Sequence, residues 1–522
     1  MGATGLRVSA GAVSAGIVRA CVAVASIACA TVASAADVTT GAPGTAGAVT
    51  PNTTAAPNTV PPTGNDAVTS DSAVTATGFT PGGLGTRPNN FFTYGLDAGI
   101  GYSDNITETS VDKKSDEILG IGVQLAGLEQ SARFQGSVLA DLEHVNYLEG
   151  TFGPQVIGNF AGYGSYALVP DFLHWVAQDS YGQGLIDPFA SQSPGNLEYI
   201  NSITTGPTFT IPLSTLTMLN VSARYTRVTY QVSPLDNNDY GGSLSLTQLL
   251  SARSRISVNV QTQRFDYTDP INPSYDQREA FVRYDVEGAR TRIDVDAGYD
   301  QIRGDQLNTT GSEVRLNISR TIAVGSVLSL SAGRDPSNSS SFLAQTQGVN
   351  GIGLQATSGR QAATPFTNDY QSLAWSFIRR RTTLSFALSH YQEVYDGQSV
   401  LDETSSSASV RVSRIVYPGW TVGLIGEYTK QEFSPQLGGN YNQEHGGLNL
   451  KWQMARKLAL LFEYDHYNRD SDIALFTYSE NRIWVKLLYG SEAQNGAAGA
   501  GEQAAALSLI NTDPFNIPAP AH

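Results

Sequence analysis

The sequence predicts an all-β fold: a transmembrane antiparallel up-and-down β-barrel of about 20 strands (range 16–20), preceded by a disordered N-terminal extension. Three observations predict it. Long and short connections alternate between residues 91 and 490, the hydrophobic pattern of the strands has a period of two residues, and the N-terminus reads as a secretory signal. A secreted chain that forms a long antiparallel meander is typical of an outer-membrane barrel.

The alternation of connection lengths sets the number of strands. Strand-like stretches of 10–15 residues are separated by ten long connections, which predicts ten hairpins. The long connections lie at residues 105–115, 148–158, 185–195, 231–239, 268–275, 304–311, 335–367, 396–402, 434–439 and 470–477. Between successive hairpins only a few residues remain, as at 168–171, 211–214, 288–290, 379–381, 416–419 and 454–456. Because short turns face the periplasm in outer-membrane barrels, both termini are expected there.

The period of two residues is what a wall between lipid and water requires. In the stretch 292–300, one face collects apolar residues and the other collects charged ones. The apolar face holds Ile293, Val295, Ala297 and Tyr299, and the charged face holds Arg292, Asp294, Asp296 and Asp300. A soluble antiparallel sandwich also alternates, but it would have to divide 400 residues among several domains, and no linker interrupts this region.

Residues 1–35 are predicted to be a signal peptide, because Arg7 and Arg19 precede an apolar run at 21–32 and small residues follow at 33–35. No apolar run reaches the roughly 18 residues of a spanning helix. Both cysteines, Cys21 and Cys29, lie in this segment. The mature chain is therefore expected to have no disulfide and no cysteine metal site. The net charge of -15, or -17 without the signal, makes nucleic acid a poor partner.

Two low-complexity segments flank the predicted barrel, which spans 91–490. Residues 36–90 are rich in Ala, Thr, Pro and Gly, and they hold too few large apolar side chains to fold alone. We expect this segment to be a disordered periplasmic extension. Residues 491–522 form an Ala-rich C-terminal tail, to which no function is assigned.

The sequence offers no catalytic or cofactor site. The six histidines are scattered, and none has a second ligand at the spacing of a metal motif. No glycine-rich phosphate loop precedes a helix, which excludes nucleotide-binding folds. Ser389 and His390 are adjacent in a strand, but neighbouring strand residues face opposite sides, so a lipid hydrolase would have to draw its serine from another strand. We therefore predict no enzyme, no cofactor and no metal.

The charged face of the strands is the candidate functional surface. The pore-lining candidates are Arg283, Asp285, Glu287, Arg292, Asp294, Asp296, Asp300, Arg303, Arg315, Asp141, Glu143, Glu463 and Asp465. One interpretation is a selectivity surface that disfavours anions; the other is a self-neutralising ladder that stabilises the wet side of the wall. Both can hold at once.

The predicted strand number implies a wide lumen, since barrels of about 16 to 18 strands already enclose an aqueous channel. A plugged transporter of about 22 strands is disfavoured, because only low-complexity residues precede the barrel. The connection 335–367, rich in Ser, Gln, Gly and Asn, is long enough to fold inward and constrict the pore or to form a surface loop.

The first strand, 95–106, is Gly-rich and ends in Tyr102 followed by Asp104 and Asn105. It resembles the outer-membrane β-barrel porins encoded with exopolysaccharide biosynthesis systems. The resemblance implies export of exopolysaccharide across the outer membrane, with the polymer and a periplasmic polysaccharide export protein as partners. The last strand, 481–489, resembles the terminal signal recognised by the barrel-assembly machinery, although 33 residues follow it.

Together these observations predict an outer-membrane pore of a Gram-negative bacterium, in contact with outer-membrane lipid and serving as a conduit for exopolysaccharide. A structural or adhesive barrel and a general small-solute porin are the alternatives. Conductance in planar bilayers separates a conduit from a structural protein.

Overall fold

The computed structural model describes residues 91–304, 308–338, 362–395 and 397–490. The predicted signal peptide, the extension 36–90, most of the connection 335–367 and the tail 491–522 lie outside these residues. The described part of the chain contains no helix that is long and apolar enough to cross a membrane.

Twenty strands account for nearly all of the described residues. They are β1 Phe91–Ser103, β2 Asp116–Gln130, β3 Phe134–Tyr147, β4 Gln155–Val169, β5 Leu173–Leu185, β6 Leu197–Pro212, β7 Thr217–Tyr230, β8 Asn237–Ser251, β9 Ser254–Tyr267, β10 Tyr275–Glu287, β11 Thr291–Gly304, β12 Asn308–Ala323, β13 Ser326–Ser337, β14 Phe366–Arg379, β15 Thr382–Tyr395, β16 Glu403–Tyr417, β17 Trp420–Phe433, β18 Tyr441–Ala455, β19 Leu458–Ser471 and β20 Tyr478–Gly490. Short 3-10 turns lie at Pro194–Asn196, Ser399–Leu401 and Ala474–Phe476.

Each strand pairs antiparallel with the next strand in the chain, and β1 pairs with β20, so the sheet closes on itself. The predicted fold class, an up-and-down barrel of about 20 strands, is confirmed. Closure leaves no open sheet edge, which is the condition for a β-sheet to stand in hydrocarbon.

Connection lengths separate the two rims. Turns of two to four residues join β2 to β3, β4 to β5 and so on along one rim, and the longer connections lie on the other. Several predicted long connections are shorter than expected, because strand pairing extends into them: β4 begins at Gln155 and β8 begins at Asn237. The connection predicted at 304–311 shortens most, since β11 continues to Gly304, β12 begins at Asn308, and Arg303 pairs with Asn308.

The alternating residues separate into an apolar outer face and a polar inner face. Val258 and Val260 on β9 are each 50% exposed, and Val282 on β10 points outward with them. Arg283, the next residue, is only 6% exposed. Ala297 and Tyr299 are exposed, while Asp296 and Asp300 on the same strand are buried. The outer face has the composition of a wall in contact with lipid.

The face assignment predicts the outcome of a matched pair of substitutions on β9. Val258→Arg puts a cation on the outward face, where it should cost about 2 to 4 kcal/mol at mid-bilayer. Asn259→Arg puts the same side chain on the inward face, where it remains hydrated. The yield of folded barrel, measured by heat-modifiable gel mobility in phosphatidylcholine vesicles, should fall only for Val258→Arg. Equal yields would show that the faces are assigned wrongly.

Candidate functional site in the barrel lumen

Inward-facing charged residues of β10–β13 form one cluster, called here the first charge cluster. Arg283 donates from Nε and Nη2 to the two carboxylate oxygens of Asp296, both at 2.8 Å. Arg315 lies 3.5 Å from the same carboxylate and pairs with Glu313 at 2.8 Å and with Asp335 at 3.2 Å. Both guanidinium groups also lie over the ring of Phe281, at 5.4 and 5.6 Å. The cluster therefore combines ion pairs with cation-π contacts across four strands.

The other predicted residues of this region are placed around the cluster. Asp285 accepts a hydrogen bond from Arg255 at 2.9 Å, and Arg292 pairs with Asp294 at 3.2 Å. Asp300 is buried on the inward face, and Glu287 is exposed at the end of β10. Arg303 lies three residues beyond Asp300, so it falls on the outward face with Tyr299 and does not join the cluster.

A second charge cluster surrounds the seam where β1 meets β20, and it contains the predicted Asp141, Glu143, Glu463 and Asp465. Lys486 on β20 donates to Glu143 on β3 at 2.8 Å, across β1 and β2. Asp141 accepts a hydrogen bond from Gln124 at 3.3 Å. Among the described residues, Asp97, Asp141 and Glu463 form no ion pair within 4.0 Å, so the cluster has an excess of carboxylates.

A relay of cross-strand contacts extends the second cluster to β16. The two ring nitrogens of His445 lie 2.8 Å from Asp465 and 3.2 Å from Glu427, and Glu427 in turn accepts a hydrogen bond from Arg411 at 2.7 Å. The imidazole also stacks on the Tyr467 ring, with centroids 4.3 Å apart. Contacts on three sides hold the His445 ring in one orientation.

Glycines on β1 and β2 make room for the second cluster. A Cβ on Gly99 would lie 2.6 Å from Lys486, and one on Gly101 would lie 2.6 Å from the Trp484 ring. A Cβ on Gly120 or Gly122 would lie closer still to the carboxylates of Glu143 and Asp97, respectively. These four positions face inward and form a floor without side chains. Side chains from β20 and β3 lie across this floor, which explains why the first strand is so rich in glycine.

Acidic residues dominate the inner face. In the described part of the chain, the buried charged residues comprise sixteen carboxylates and only four arginines. Some of these carboxylates are neutralised within the two clusters, and others, such as Asp97, are not. Whether the predicted residues line a conducting pore stays a prediction.

The connection between β5 and β6, residues 186–196, reaches the far wall of the barrel and is called here the bridging loop. Arg469 on β19 donates from Nη1 to the Ala190 carbonyl at 2.8 Å and from Nη2 to the Phe189 carbonyl at 2.6 Å. The Phe189 ring packs edge-on against Phe433 at the end of β17, with centroids 4.6 Å apart. Seven strands separate β5 from β17 in one direction around the ring and eleven in the other. The loop therefore crosses the mouth.

Internal hydrogen bonds give the bridging loop a defined shape. The Asn196 amide accepts from the Asp187 backbone N–H at 2.9 Å and donates to the carbonyls of Asp187 and Ser191, both at 2.8 Å. The Asp187 carboxylate accepts from the Phe189 N–H at 3.0 Å. On the far wall, the fully buried Arg469 lies 3.6 Å from the centroid of the Tyr441 ring. These Asx contacts fix the conformation of the bridging loop independently of its contact with Arg469.

Sequence reasoning missed the bridging loop, Lys486 and the His445 relay. The sequence offers the connection 335–367 as a constriction because of its length, and residues 339–361 lie outside the described part of the chain. Lys486 lies between the apolar Val485 and Leu487, and because side chains alternate between the two faces of a strand, this position could have identified it as inward-facing. No local signal identifies Arg469 as the partner of a loop 279 residues away.

Ser389 and His390 on β15 face opposite sides of the barrel wall. His390 lies on the outward face of β15, and its Nδ1 is 2.9 Å from the Ser406 hydroxyl on β16. Ser389 faces inward and contacts Ser407 instead. Within the described residues, no carboxylate or amide orients the His390 ring from its other nitrogen. A hydrogen-bonded Ser–His pair without an orienting group lacks a constituent of the nucleophilic triad.

No protein-family model and no curated protein matches the sequence. Among solved structures, the chain is similar to the siderophore receptor PirA from Pseudomonas aeruginosa, at 10% identity and a TM-score of 0.40, over 77% of this chain and 81% of that chain. It is also similar to OccK2 (OpdF) from Pseudomonas aeruginosa, at 11% identity and a TM-score of 0.33, over 76% of this chain and 98% of that chain. A third similar structure is the ferric citrate transporter FecA, at 9% identity and a TM-score of 0.40, over 76% of this chain and 78% of that chain.

Replacing a floor glycine should disturb the seam. Gly101→Ala places a Cβ against the Trp484 ring, which must move, and overpacking of this kind costs about 1 to 3 kcal/mol. Gly446→Ala on β18 is the control, because a Cβ there meets no atom within 4 Å. The midpoint of thermal unfolding, followed by heat-modifiable mobility, should fall for Gly101→Ala and stay unchanged for Gly446→Ala. An unchanged midpoint for both would show that the seam tolerates a side chain.

The path of the bridging loop can be tested with a photo-reactive residue. Benzoylphenylalanine at position 189 should crosslink to the far wall around residues 433–441, as mass spectrometry of the digested barrel would show. Arg469→Met removes the two guanidinium donors to the Phe189 and Ala190 carbonyls and should lower the yield of this crosslink several-fold. Benzoylphenylalanine at 152, which lies against Gly195, is the control and should crosslink locally in both backgrounds. Crosslinks from position 189 confined to β3–β7 would contradict a loop that crosses the mouth.

The stability of the folded barrel should depend on pH because of Glu108, which lies in the connection between β1 and β2. Burial, and secondarily the neighbouring Glu480, raises the pKa of Glu108 to about 8. The unfolded chain releases this proton near its ordinary pKa, so the contribution of Glu108 to stability is present in acid and is lost as the pH rises to about 8. Calorimetric unfolding between pH 5 and 8 should show a smaller loss of stability for Glu108→Gln than for the unsubstituted chain. Parallel pH profiles would contradict a buried neutral carboxyl at this position.

Proposed function

We propose that the protein is a pore of the Gram-negative outer membrane, with its short turns and both termini in the periplasm. The observation that carries the proposal is a closed barrel whose inner face is dominated by carboxylates while its outer face is apolar. A wall built only to stabilise itself would place a cation beside each inner carboxylate, as Arg283 does for Asp296 and Arg315 does for Glu313 in the first charge cluster. Asp97, Asp141 and Glu463 near the seam form no ion pair in the described residues, so pairing within the wall does not explain them.

The pore is narrowed at the long-loop rim by the bridging loop. Because Phe189 and Ala190 are held on the far wall by Arg469, the mouth is divided into smaller openings. This arrangement favours hydrated small cations over bulky anions, and it supports the small-solute alternative among the functions that the sequence left open.

A second candidate function is the export of exopolysaccharide. It rests on the resemblance of the first strand, whose glycines also form the floor under the second charge cluster. In this function the polymer and a periplasmic export protein are the partners, and the last strand engages the barrel-assembly machinery during insertion. A deletion strain should lose surface polymer while still making the lipid-linked precursor. Normal surface polymer in that strain would remove export and leave the pore standing.

Cation preference is the measurable consequence of the proposed pore. The purified barrel in planar bilayers should conduct, with a reversal potential of the cation-selective sign in a tenfold KCl gradient. Asp97→Asn, Asp141→Asn and Glu463→Gln together should lower the cation-to-anion permeability ratio several-fold, because no ion pair in the described residues is broken. Neutralising Glu129, Glu444 and Asp470, which are exposed on the outward face, is the matched control.

Two outcomes would count against this proposal. A folded barrel that gives no conductance would favour a structural or adhesive protein whose loops face partners. A conducting barrel with anion preference, or with a permeability ratio that the triple neutralisation leaves unchanged, would show that the carboxylates near the seam do not determine ion selectivity.

A further inference from the structure

The short-turn rim carries a concentration of positive charge that the pore does not explain. Nine short turns join the strands on this rim, and they contain seven basic residues but one acidic residue, Asp171. The basic residues are Arg133, Arg253, Arg290, Arg380, Arg381, Arg456 and Lys457. Since the whole chain has a net charge of -15, an excess of basic residues here is contrary to its composition.

The opposite rim has the opposite sign. The described parts of the long connections contain nine acidic residues and only two basic ones, Lys113 and Lys114. The barrel is therefore positive at its short-turn rim and negative at its long-loop rim. A random distribution of charge over exposed turns would not separate the signs in this way.

The basic side chains of the short-turn rim are available to a partner. Within the described residues, the side chains of Arg133, Arg253, Arg290, Arg380, Arg381 and Arg456 form no hydrogen bond or ion pair. Lys457 is the exception, since its Nζ lies 3.1 Å from the Tyr94 hydroxyl. Unpaired guanidinium groups of this kind bind phosphate oxygens with two parallel hydrogen bonds.

Aromatic residues set the height of these cations relative to a bilayer. Four of the five tryptophans, Trp175, Trp375, Trp420 and Trp452, lie on the outward face within five residues of a short turn. Trp420 and Trp452 stack with ring centroids 5.5 Å apart, and Tyr417 beside them is 68% exposed. Girdles of outward aromatic residues lie at the membrane–water interface of barrels. The turns just beyond the girdle are therefore level with the lipid phosphates.

We propose that the short-turn rim binds the headgroups of anionic phospholipids in the leaflet that surrounds it. Charge complementarity, the unpaired guanidinium groups and the interfacial height select a lipid phosphate as the occupant. Each basic residue near an anionic bilayer surface adds several-fold to the affinity, and the effect is screened by salt. The inference does not depend on the proposed pore, since a barrel that conducts nothing would still present this rim.

Tryptophan quenching by brominated lipids tests the proposal on the full chain. In a background with Trp175, Trp420 and Trp452 replaced by Phe, Trp375 reports on lipids next to Arg380 and Arg381. The protein is reconstituted in phosphatidylcholine vesicles, and brominated phosphatidylglycerol or brominated phosphatidylcholine is titrated in. The relative association constant of phosphatidylglycerol should be about threefold or more at low salt and should approach one in 1 M NaCl.

Matched variants localise the effect. Arg380→Gln with Arg381→Gln should remove most of the preference at Trp375, while Lys113→Gln with Lys114→Gln removes the same charge from the other rim and should leave the preference unchanged. If the first pair prevents folding, Arg456→Gln replaces it, read at Trp452 on the same hairpin in a background with Trp175, Trp375 and Trp420 replaced by Phe. Equal association of the two lipids at low salt, or a preference that the arginine substitutions leave intact, would overturn the proposal; the rim would then suit an acidic protein instead.

Discussion

Closure of the sheet between β1 and β20 is the interaction on which the rest of the structure depends. A strand edge in hydrocarbon leaves backbone N–H and C=O groups without partners, each at a cost of several kcal/mol, roughly. Nine residue pairs, from Gly95 with Gly490 to Ser103 with Arg482, join the two ends of the meander. The glycine floor lies directly at this seam. Its missing side chains allow Trp484 and Lys486 to lie flat across the strands that they close.

Closure also determines which charges share the lumen. Once β20 lies beside β1, Lys486 can reach Glu143 across two strands, and the carboxylates of β1, β3 and β19 become neighbours. Pairing offsets part of the cost of placing these groups on a crowded inner surface. Carboxylates outnumber arginines in both clusters. In the first charge cluster Asp296, Glu313 and Asp335 each lie close to a guanidinium group, whereas Asp97, Asp141 and Glu463 at the seam form no ion pair in the described residues.

Charge is ordered along the barrel axis as well as around it. Acidic connections lie at one rim, basic turns lie at the other, and the bridging loop spans the acidic rim. The two rims therefore differ in charge as well as in connection length.

The sequence by itself determined the strand number, the two rims and the face of most strand residues. Alternation and connection length are local properties of the sequence. Asp296 and Val295, for example, are assigned to opposite faces because adjacent strand residues point to opposite sides. Parity would also have placed Arg303 outward, three residues after Asp300. Only the tertiary structure decided which residues meet: Glu143 with Lys486, His445 between two carboxylates, and the bridging loop with Arg469. Those contacts join segments up to 343 residues apart, and they depend on ring closure and register, which no local pattern encodes.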